Sequence, residues 1–194
     1  MLRVIRRIWA NYVASIPKSE VADSIPESQW GCADLLPAVS KAKRKAFTDL
    51  LSLIFLYLPP EEAEAMVKAK AAALKRGDDV DTALLNALFP EEGQEPATGR
   101  GFIACDWKAV EEVQWQAEQL CANHRISGHW QAPAGTIEEV LQNFDKWLQQ
   151  QEHRLLCFSP GDSVVAFALL KDHAASAIAL GKRLGLSLNT PSDA

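Results

Sequence analysis

The spacing of hydrophobic residues changes once along the chain, near residue 90. Up to that point apolar residues recur every three or four positions, a period that predicts helices. The first apolar stripe consists of Leu2, Ile5, Trp9, Tyr12, Val13 and Ile16. Packing on the rest of the domain is the simplest role for this stripe, although the basic residues beside it would also suit a helix on a membrane surface. Further helices are expected at 40–57, 61–76 and 80–88.

Signals at helix ends support the later helices. Pro59 and Pro60 stop the helix over 40–57, and the acidic residues that follow them suit the positive N-terminus of the next helix. Asp79 is placed to cap the short helix at 80–88, which Pro90 ends. The sequence therefore predicts an all-α N-terminal unit over residues 1–90.

The pattern differs after a linker. Residues 91–100, EEGQEPATGR, contain no large apolar residue and predict that linker. Short apolar runs then alternate with helical stretches, which is typical of mixed domains. The first expected elements are a strand at 102–105, a helix at 108–123 and an optional short strand within 124–131. A helix opened by a capping box of Thr136 and Glu139 follows, and then come strands at 154–158 and 163–170. Asp172 is expected to cap a last helix, which ends at Gly185. The predicted fold class is α+β, with the helical unit followed by a small α/β domain at 101–190 of order β-α-(β)-α-β-β-α.

Composition and charge fit a folded protein and argue against direct contact with nucleic acid. The chain has 194 residues, 48% of them hydrophobic, and its six Trp can contribute strongly to a core. Its formal net charge is −5, and residues 101–194 hold seven Lys or Arg against eleven Asp or Glu. Non-specific nucleic-acid binding needs a basic surface and is therefore not expected. The acidic part would attract a basic protein partner, although a solvated acidic surface needs no partner.

Cysteine usage and hydropathy indicate a cytoplasmic protein with no membrane contact. The four cysteines are Cys32, Cys105, Cys121 and Cys157. They form no CxxC pair, and two lie in apolar runs, which is typical of reduced, buried thiols. Arg6 and Arg7 interrupt the first apolar stripe, so a secretory signal is not expected. The longest strongly apolar run, at 50–58, is too short to span a membrane.

The stretch GFIACDWKAVEEVQWQAEQL at 101–120 holds the strongest candidate for recognition. Its strand ends near Asp106, and ligand sites in α/β domains favour the carboxyl ends of strands. Capping of the next helix is the competing role for this carboxylate. Glu111 and Trp115 are four residues apart on one helix face, which could grip a cationic side chain or could simply pack on the domain. The candidate partner-binding residues are Asp106, Trp107, Glu111, Glu112 and Trp115.

The sequence carries no catalytic or metal-binding signature, so neither a metal nor a cofactor is expected. It contains no G-x-S-x-G, G-x-G-x-x-G, P-loop or H-E-x-x-H pattern. Cys157 has His153 four residues away, and on a strand these side chains share a face, so they remain a candidate nucleophilic pair. Their apolar context favours an inert thiol. We expect a protein that is not an enzyme, and an α/β domain that binds or converts a small ligand remains the alternative.

Three pieces of the sequence resemble a known bacterial family. They are FIACDWKAVEEVQWQAEQL, FDKWLQQQEHRLLCFSPGDSVVAFALL and the closing helix with its LGL. They are similar to a domain of unknown function in which a strand ends in D-W-K, an E-x-x-W-Q helix follows and a late G-D-S hairpin closes the domain. Val164 stands where that family has an aromatic residue. The resemblance covers about residues 100–188.

The resemblance implies a role in protein binding, because proteins of this kind often occur near secreted toxins, including type VI effectors. We therefore expect an immunity protein that occludes the active site of a cognate toxin acting in the cytosol. We expect the toxin to be a nuclease, because the active-site surface of a nuclease is basic. The acidic C-terminal part of this chain would complement that charge and speed encounter. The toxin's identity, the half of the chain that forms the interface and homo-oligomerisation stay open.

Overall fold

A computed structural model describes residues 39–74, 79–89, 101–106, 108–160 and 163–193. The predicted helix over the first apolar stripe, the linker at 91–100 and the candidate residue Trp107 lie outside these ranges, as do the expected end of the helix at 75–76 and the turn at 161–162.

The predicted helices between residues 40 and 89 are present. Helix α1 spans Lys41–Ile54 and begins after Ser40, whose hydroxyl accepts the Lys43 N–H at 3.1 Å. Helix α2 spans Pro60–Ala71, with acidic residues in its first turn. Helix α3 spans Val80–Leu88, and the Asp79 carboxylate accepts the Thr82 N–H at 2.7 Å, as the capping signal predicts. Helix α1 ends three residues before the predicted limit of 57, in a turn that leads to α2.

The strands of the described residues form one antiparallel sheet in the order β1-β3-β2. Strand β1 spans Phe102–Asp106, β2 spans His153–Phe158 and β3 spans Ser163–Leu170. Ala104 of β1 lies opposite Val165 of the central strand, and Leu156 of β2 lies opposite Phe167. Residues 124–131 form no strand, so the optional strand predicted there is wrong. Hydrogen bonds to side chains hold this segment instead of a ladder.

Three further helices accompany the sheet in the C-terminal part of the described chain. A 3-10 turn at Val110–Glu112 leads into α4, Val113–Asn123, and α5 spans Ile137–Gln149 behind the predicted capping box. Helix α6 spans Lys171–Leu184 and ends at Gly185, whose φ of 86° is a left-handed conformation that glycine adopts without strain. Asp172 does not cap α6, contrary to prediction. Strand β3 runs directly into this helix, so Leu170 occupies the capping position and Asp172 lies in the first turn.

The sheet lies between two layers of helices. One face packs with α1, α3 and α6 in a core that includes Phe47, Phe102 and Phe167. The other face packs with α4 and α5 around Ile103, Leu155 and other buried residues. The strands are apolar on both faces for this reason, as in the run SVVAFALL of β3. The architecture confirms the α+β class, and the helical segment shares its core with the sheet.

The division into two domains stays a prediction, because the linker between them lies outside the described ranges. Among the helices of the described chain, none is long and apolar enough to cross a membrane.

Candidate functional site

The junction between β1 and α4 places the first candidate residue. Asp106 is the last residue of β1, opposite Ser163. Its carboxylate accepts the Lys108 N–H at 3.0 Å, and its carbonyl accepts the Ala109 N–H at 2.9 Å. Asp106 therefore closes the turn before the helix and does not cap the helix itself, which starts at Val110 with a 3-10 turn. The expected capping role is wrong because the chain makes an additional turn first.

The carboxylates of this junction lie around a buried thiol. Glu111 is exposed and Glu112 is half-buried in the 3-10 turn. Burial raises the pKa of the Cys105 thiol to about 12, and the charges of Glu112 and Asp106 contribute to that rise. The thiol therefore stays protonated at neutral pH. Nowhere in the described ranges do three or more His, Cys, Asp or Glu side chains converge on a position that could hold a metal ion.

Helix α4 continues the acidic and aromatic surface away from this junction. Glu111, Trp115 and Glu118 follow one another at intervals of four and three residues, so they lie along one side of the helical segment. Glu111 and Glu118 are exposed, and Trp115 is half-buried. We call these three residues the α4 face. Helical spacing thus puts Glu111 and Trp115 on one side of the segment and adds Glu118, which the sequence analysis missed. Their role in partner binding stays a prediction.

A groove of about 260 Å³ adjoins the α4 face. It lies between α4, the irregular segment after α4, and α5, and we call it the aromatic groove. Its lining residues are Ala117, Glu118, Cys121, Ala122, Ile126, Gly128, His129, Trp130, Phe144 and Trp147. Glu118 belongs both to the groove and to the α4 face, so the two surfaces are continuous. No sequence signal could have located this groove, because the fold brings together aromatic residues from separate elements.

The aromatic rings of the groove pack on one another. Trp130 is 7% exposed and its ring centroid lies 4.6 Å from that of Phe144. Phe144 stacks in turn on Trp147, with centroids 5.9 Å apart and ring planes 13° apart. The Trp130 indole N–H donates to the Asn143 side-chain oxygen at 2.8 Å. These contacts fix Trp130 against α5, the helix that carries Phe144 and Trp147.

Gln114 of α4 fixes the irregular wall of the groove. Its side-chain NH₂ donates to the Trp130 carbonyl at 3.1 Å, and its side-chain oxygen accepts the Ala132 N–H at 2.7 Å. The same NH₂ donates to the Glu118 carboxylate at 2.6 Å. One amide side chain thus supplies the partners that a neighbouring strand would have given, which explains why this segment holds its position without being a strand.

Glu118 sets the charge of the groove. It is exposed and lies close enough to Cys121 for its charge, together with the larger effect of burial, to raise the pKa of that thiol to about 11. Cys121 is therefore neutral at physiological pH. Aromatic rings beside one exposed carboxylate form an environment that favours a cation.

The candidate pair His153 and Cys157 does not form a catalytic couple. Both residues lie in β2, where four residues span ~13 Å, well beyond hydrogen-bonding distance. Burial raises the pKa of the Cys157 thiol, as do the nearby Asp145 and Cys105. The Cys157 backbone pairs with Asn189. Sharing one face of a strand is not enough for chemistry at this separation.

His124 joins the helical segment to the sheet. Its ring stacks on Tyr57 at 4.4 Å between centroids and lies edge-on to His153 at 6.2 Å. The ring Nε2 lies 3.3 Å from the Gly101 carbonyl, to which it can donate. Burial lowers the pKa of His124 to about 4, so its ring is neutral at physiological pH. These contacts give His124 a structural role, since they hold the helical segment against the sheet.

Two buried polar side chains outside the predicted site, Gln116 and Asp145, form hydrogen bonds that stabilise the fold. Gln116 pairs with both backbone groups of Ala104, accepting its N–H at 2.7 Å and donating to its carbonyl at 3.0 Å, and so covers the outer edge of β1. Asp145 of α5 is fully buried and bonds Arg154, the Leu155 N–H and the Ser192 hydroxyl. It ties α5 to β2 and to the 3-10 turn at Pro191–Asp193.

Comparison with protein families gives one match. The model of a family described as "Domain of unknown function (DUF6630)" matches residues 37–191. This confirms the expected resemblance to a family of unknown function and extends it from about residue 100 back to the start of α1. Neither a curated protein nor a solved structure matches the chain.

Proposed function

The chain belongs to the DUF6630 family, and we propose that it is a binding protein that acts through the α4 face. The immunity protein implied by the sequence resemblance is the specific form of this proposal. It would occlude the active site of a cognate toxin in the cytosol. The type VI context and a nuclease as the toxin belong to the same proposal.

One observation carries the proposal: the α4 face is a continuous acidic and aromatic surface on a packed helix. Val113, Ala117 and Leu120 bury the opposite side of α4 in the core, so the helix is firmly held. Recognition surfaces on regular elements are positioned more accurately than those on loops. Exposed carboxylates beside an aromatic ring suit a basic partner and would speed its encounter.

The protonation states of the strand thiols and of the neighbouring His124 fit a binding protein better than an enzyme. The Cys105 and Cys157 thiols have raised pKa values, and His124 is neutral and engaged with its neighbours. A nucleophile or a base needs the opposite tuning. Small-ligand binding remains the second candidate, and the aromatic groove is the observation that favours it.

Capture of a partner from the native host tests the proposal. The tagged full chain, Glu111→Arg and Glu64→Arg would each be used, followed by a salt wash and mass spectrometry. Glu64 is an exposed residue of α2, in the helical layer on the other side of the sheet, so its charge reversal is a matched control. We expect one stoichiometric partner that wild type and Glu64→Arg retain and Glu111→Arg loses.

The captured partner would then be expressed with and without this protein. Growth arrest by the partner alone, relieved by co-expression, supports immunity. Equal retention by Glu111→Arg would contradict the proposed face, and a captured partner that is harmless when expressed alone would contradict the immunity role.

A further inference from the structure

We propose that the aromatic groove binds an arginine side chain of the partner protein. This inference rests on the proposed function, because the partner supplies the arginine. The groove opens beside the α4 face and shares Glu118 with it. A partner seated on the α4 face would therefore bring a side chain to the mouth of the groove.

The charge of the groove favours a cation. Among the residues that line it in the described chain, Glu118 is the only carboxylate and none is Lys or Arg. The half-buried ring of Trp147 and the 7% exposed ring of Trp130 give the groove an aromatic surface to which a cation is attracted. The fully buried Phe144 packs against both rings. An arginine combines both requirements, because its planar guanidinium stacks on aromatic rings and donates two N–H groups to one carboxylate.

The size of the groove favours a single side chain over a free small molecule. Its volume of about 260 Å³ lies below the range of roughly 300–1,000 Å³ that is typical of small-molecule sites. The groove is also open on one side, as an inserted side chain from another protein requires.

The walls of the groove are already positioned, so little ordering is needed on binding. Gln114 holds the Trp130 carbonyl and the Ala132 N–H, and Asn143 holds the Trp130 indole. Gly128 has a φ of 113°, and a Cβ at this position would lie 3.2 Å from the Trp147 ring. A glycine here allows both the backbone turn and its close approach to Trp147. Preformed sites lose less affinity to ordering.

A titration of capped arginine tests the inference on the full chain. N-acetyl-arginine methylamide would be added while NMR follows the indole N–H signals of Trp130 and Trp147. N-acetyl-citrulline methylamide is the control ligand, because it has nearly the same shape without the charge. We expect saturable shifts of both signals, with a dissociation constant on the order of 1 mM for so small a fragment. Citrulline should bind about tenfold more weakly.

Two variants assign the contact. Glu118→Gln should weaken the binding of capped arginine by about twofold to fivefold, since it removes the charge of an exposed carboxylate and keeps the shape. Glu138→Gln makes the same change at an exposed position of α5 outside the groove lining, and should leave binding unchanged. Equal binding of arginine and citrulline, equal binding by Glu118→Gln, or no saturable shift of Trp147 would each overturn the inference.

The result separates this inference from the proposed function. If Glu111→Arg loses the partner while capped arginine fails to bind, the groove inference alone is refuted. If capped arginine binds while Glu111→Arg keeps the partner, the proposed face is refuted, and only the affinity of the groove for arginine is retained.

Discussion

Replacement of Asp145 by asparagine tests how the C-terminal elements are held together. The carboxylate is 0% exposed and accepts five hydrogen bonds. Oδ1 accepts the Leu155 N–H at 2.8 Å and Arg154 Nε at 3.2 Å, and Oδ2 accepts Arg154 Nη2 at 3.2 Å, Gln149 Nε2 at 3.1 Å and Ser192 Oγ at 2.8 Å. Asparagine can keep the bonds at Oδ1. Its NH₂ then faces Arg154, Gln149 and Ser192. The Ser192 hydroxyl and the Gln149 amide can turn to accept, but the Arg154 guanidinium has no acceptor and loses its partner.

The expected loss of stability follows from this geometry. Removing one partner of a buried ion pair typically costs ~3–5 kcal/mol. The Arg154 side chain is 20% exposed and can regain some hydration, which places the expected cost for Asp145→Asn near the lower end, at ~3 kcal/mol. For a protein of this size each kcal/mol shifts the Tm by roughly 2–4 °C, so a fall of about 6–12 °C is expected.

Urea and thermal unfolding, followed by circular dichroism, would measure this loss. Ser192→Ala is the control, because it removes one of the same hydrogen bonds and leaves the ion pair intact. Its cost should stay at or below about 1.5 kcal/mol, since Ser192 is exposed and water can replace the hydroxyl. An Asp145→Asn protein within 1 kcal/mol of wild type, or no less stable than Ser192→Ala, would refute the assigned role of the carboxylate.

Three further predictions concern other buried polar groups. His124 has a pKa of about 4 against 6.5 for the ordinary group, so the unfolded chain binds more protons between these values. As the pH decreases from about 6.5 to 4, the free energy of unfolding should therefore fall by ~3 kcal/mol more in wild type than in His124→Phe. Urea unfolding at each pH would measure this, and parallel pH profiles of the two proteins would contradict it. Gln116→Leu leaves the buried N–H and carbonyl of Ala104 without their partner and should cost about 2–6 kcal/mol in the same assay, whereas a neutral effect would mean that another group covers this edge. Cys105 and Cys157, with pKa values raised by burial, should react with iodoacetamide at pH 8 only after unfolding, and peptide mass spectrometry that found rapid modification of either thiol in the folded protein would contradict the assignment.

Local sequence signals predicted most of the secondary structure. The Asp79 cap, the Thr136 capping box and Gly185 at the end of α6 each act within four residues of their own position. Two wrong expectations, the capping roles of Asp106 and Asp172, concern helix starts that lie one to four residues from the expected place. The third depends on distant residues. An optional strand is predicted within 124–131, yet the side chain of the distant Gln114 binds the Trp130 carbonyl and the Ala132 N–H in place of a neighbouring strand.

The candidate site was predictable only along one helix. The shared side of Glu111 and Trp115 follows from helical spacing across the 3-10 turn and the start of α4, and their role in binding stays a prediction. The aromatic groove was not predictable, because Trp130 and Trp147 meet only when α4 and α5 pack on the same sheet face. The sequence also did not predict that the helices before residue 90 share one core with the sheet. An apolar stripe shows that a helix packs on something, but it does not specify the element it packs against.

The affinity of the captured partner for the wild-type chain and for Glu111→Arg is the measurement that tests the central claim most directly. Isothermal calorimetry at low and high salt would compare both with the Glu64→Arg control. Binding through the α4 face predicts at least about tenfold weaker binding for Glu111→Arg at low salt, a smaller difference at high salt and no change for the control. Equal affinities for all three proteins would contradict it.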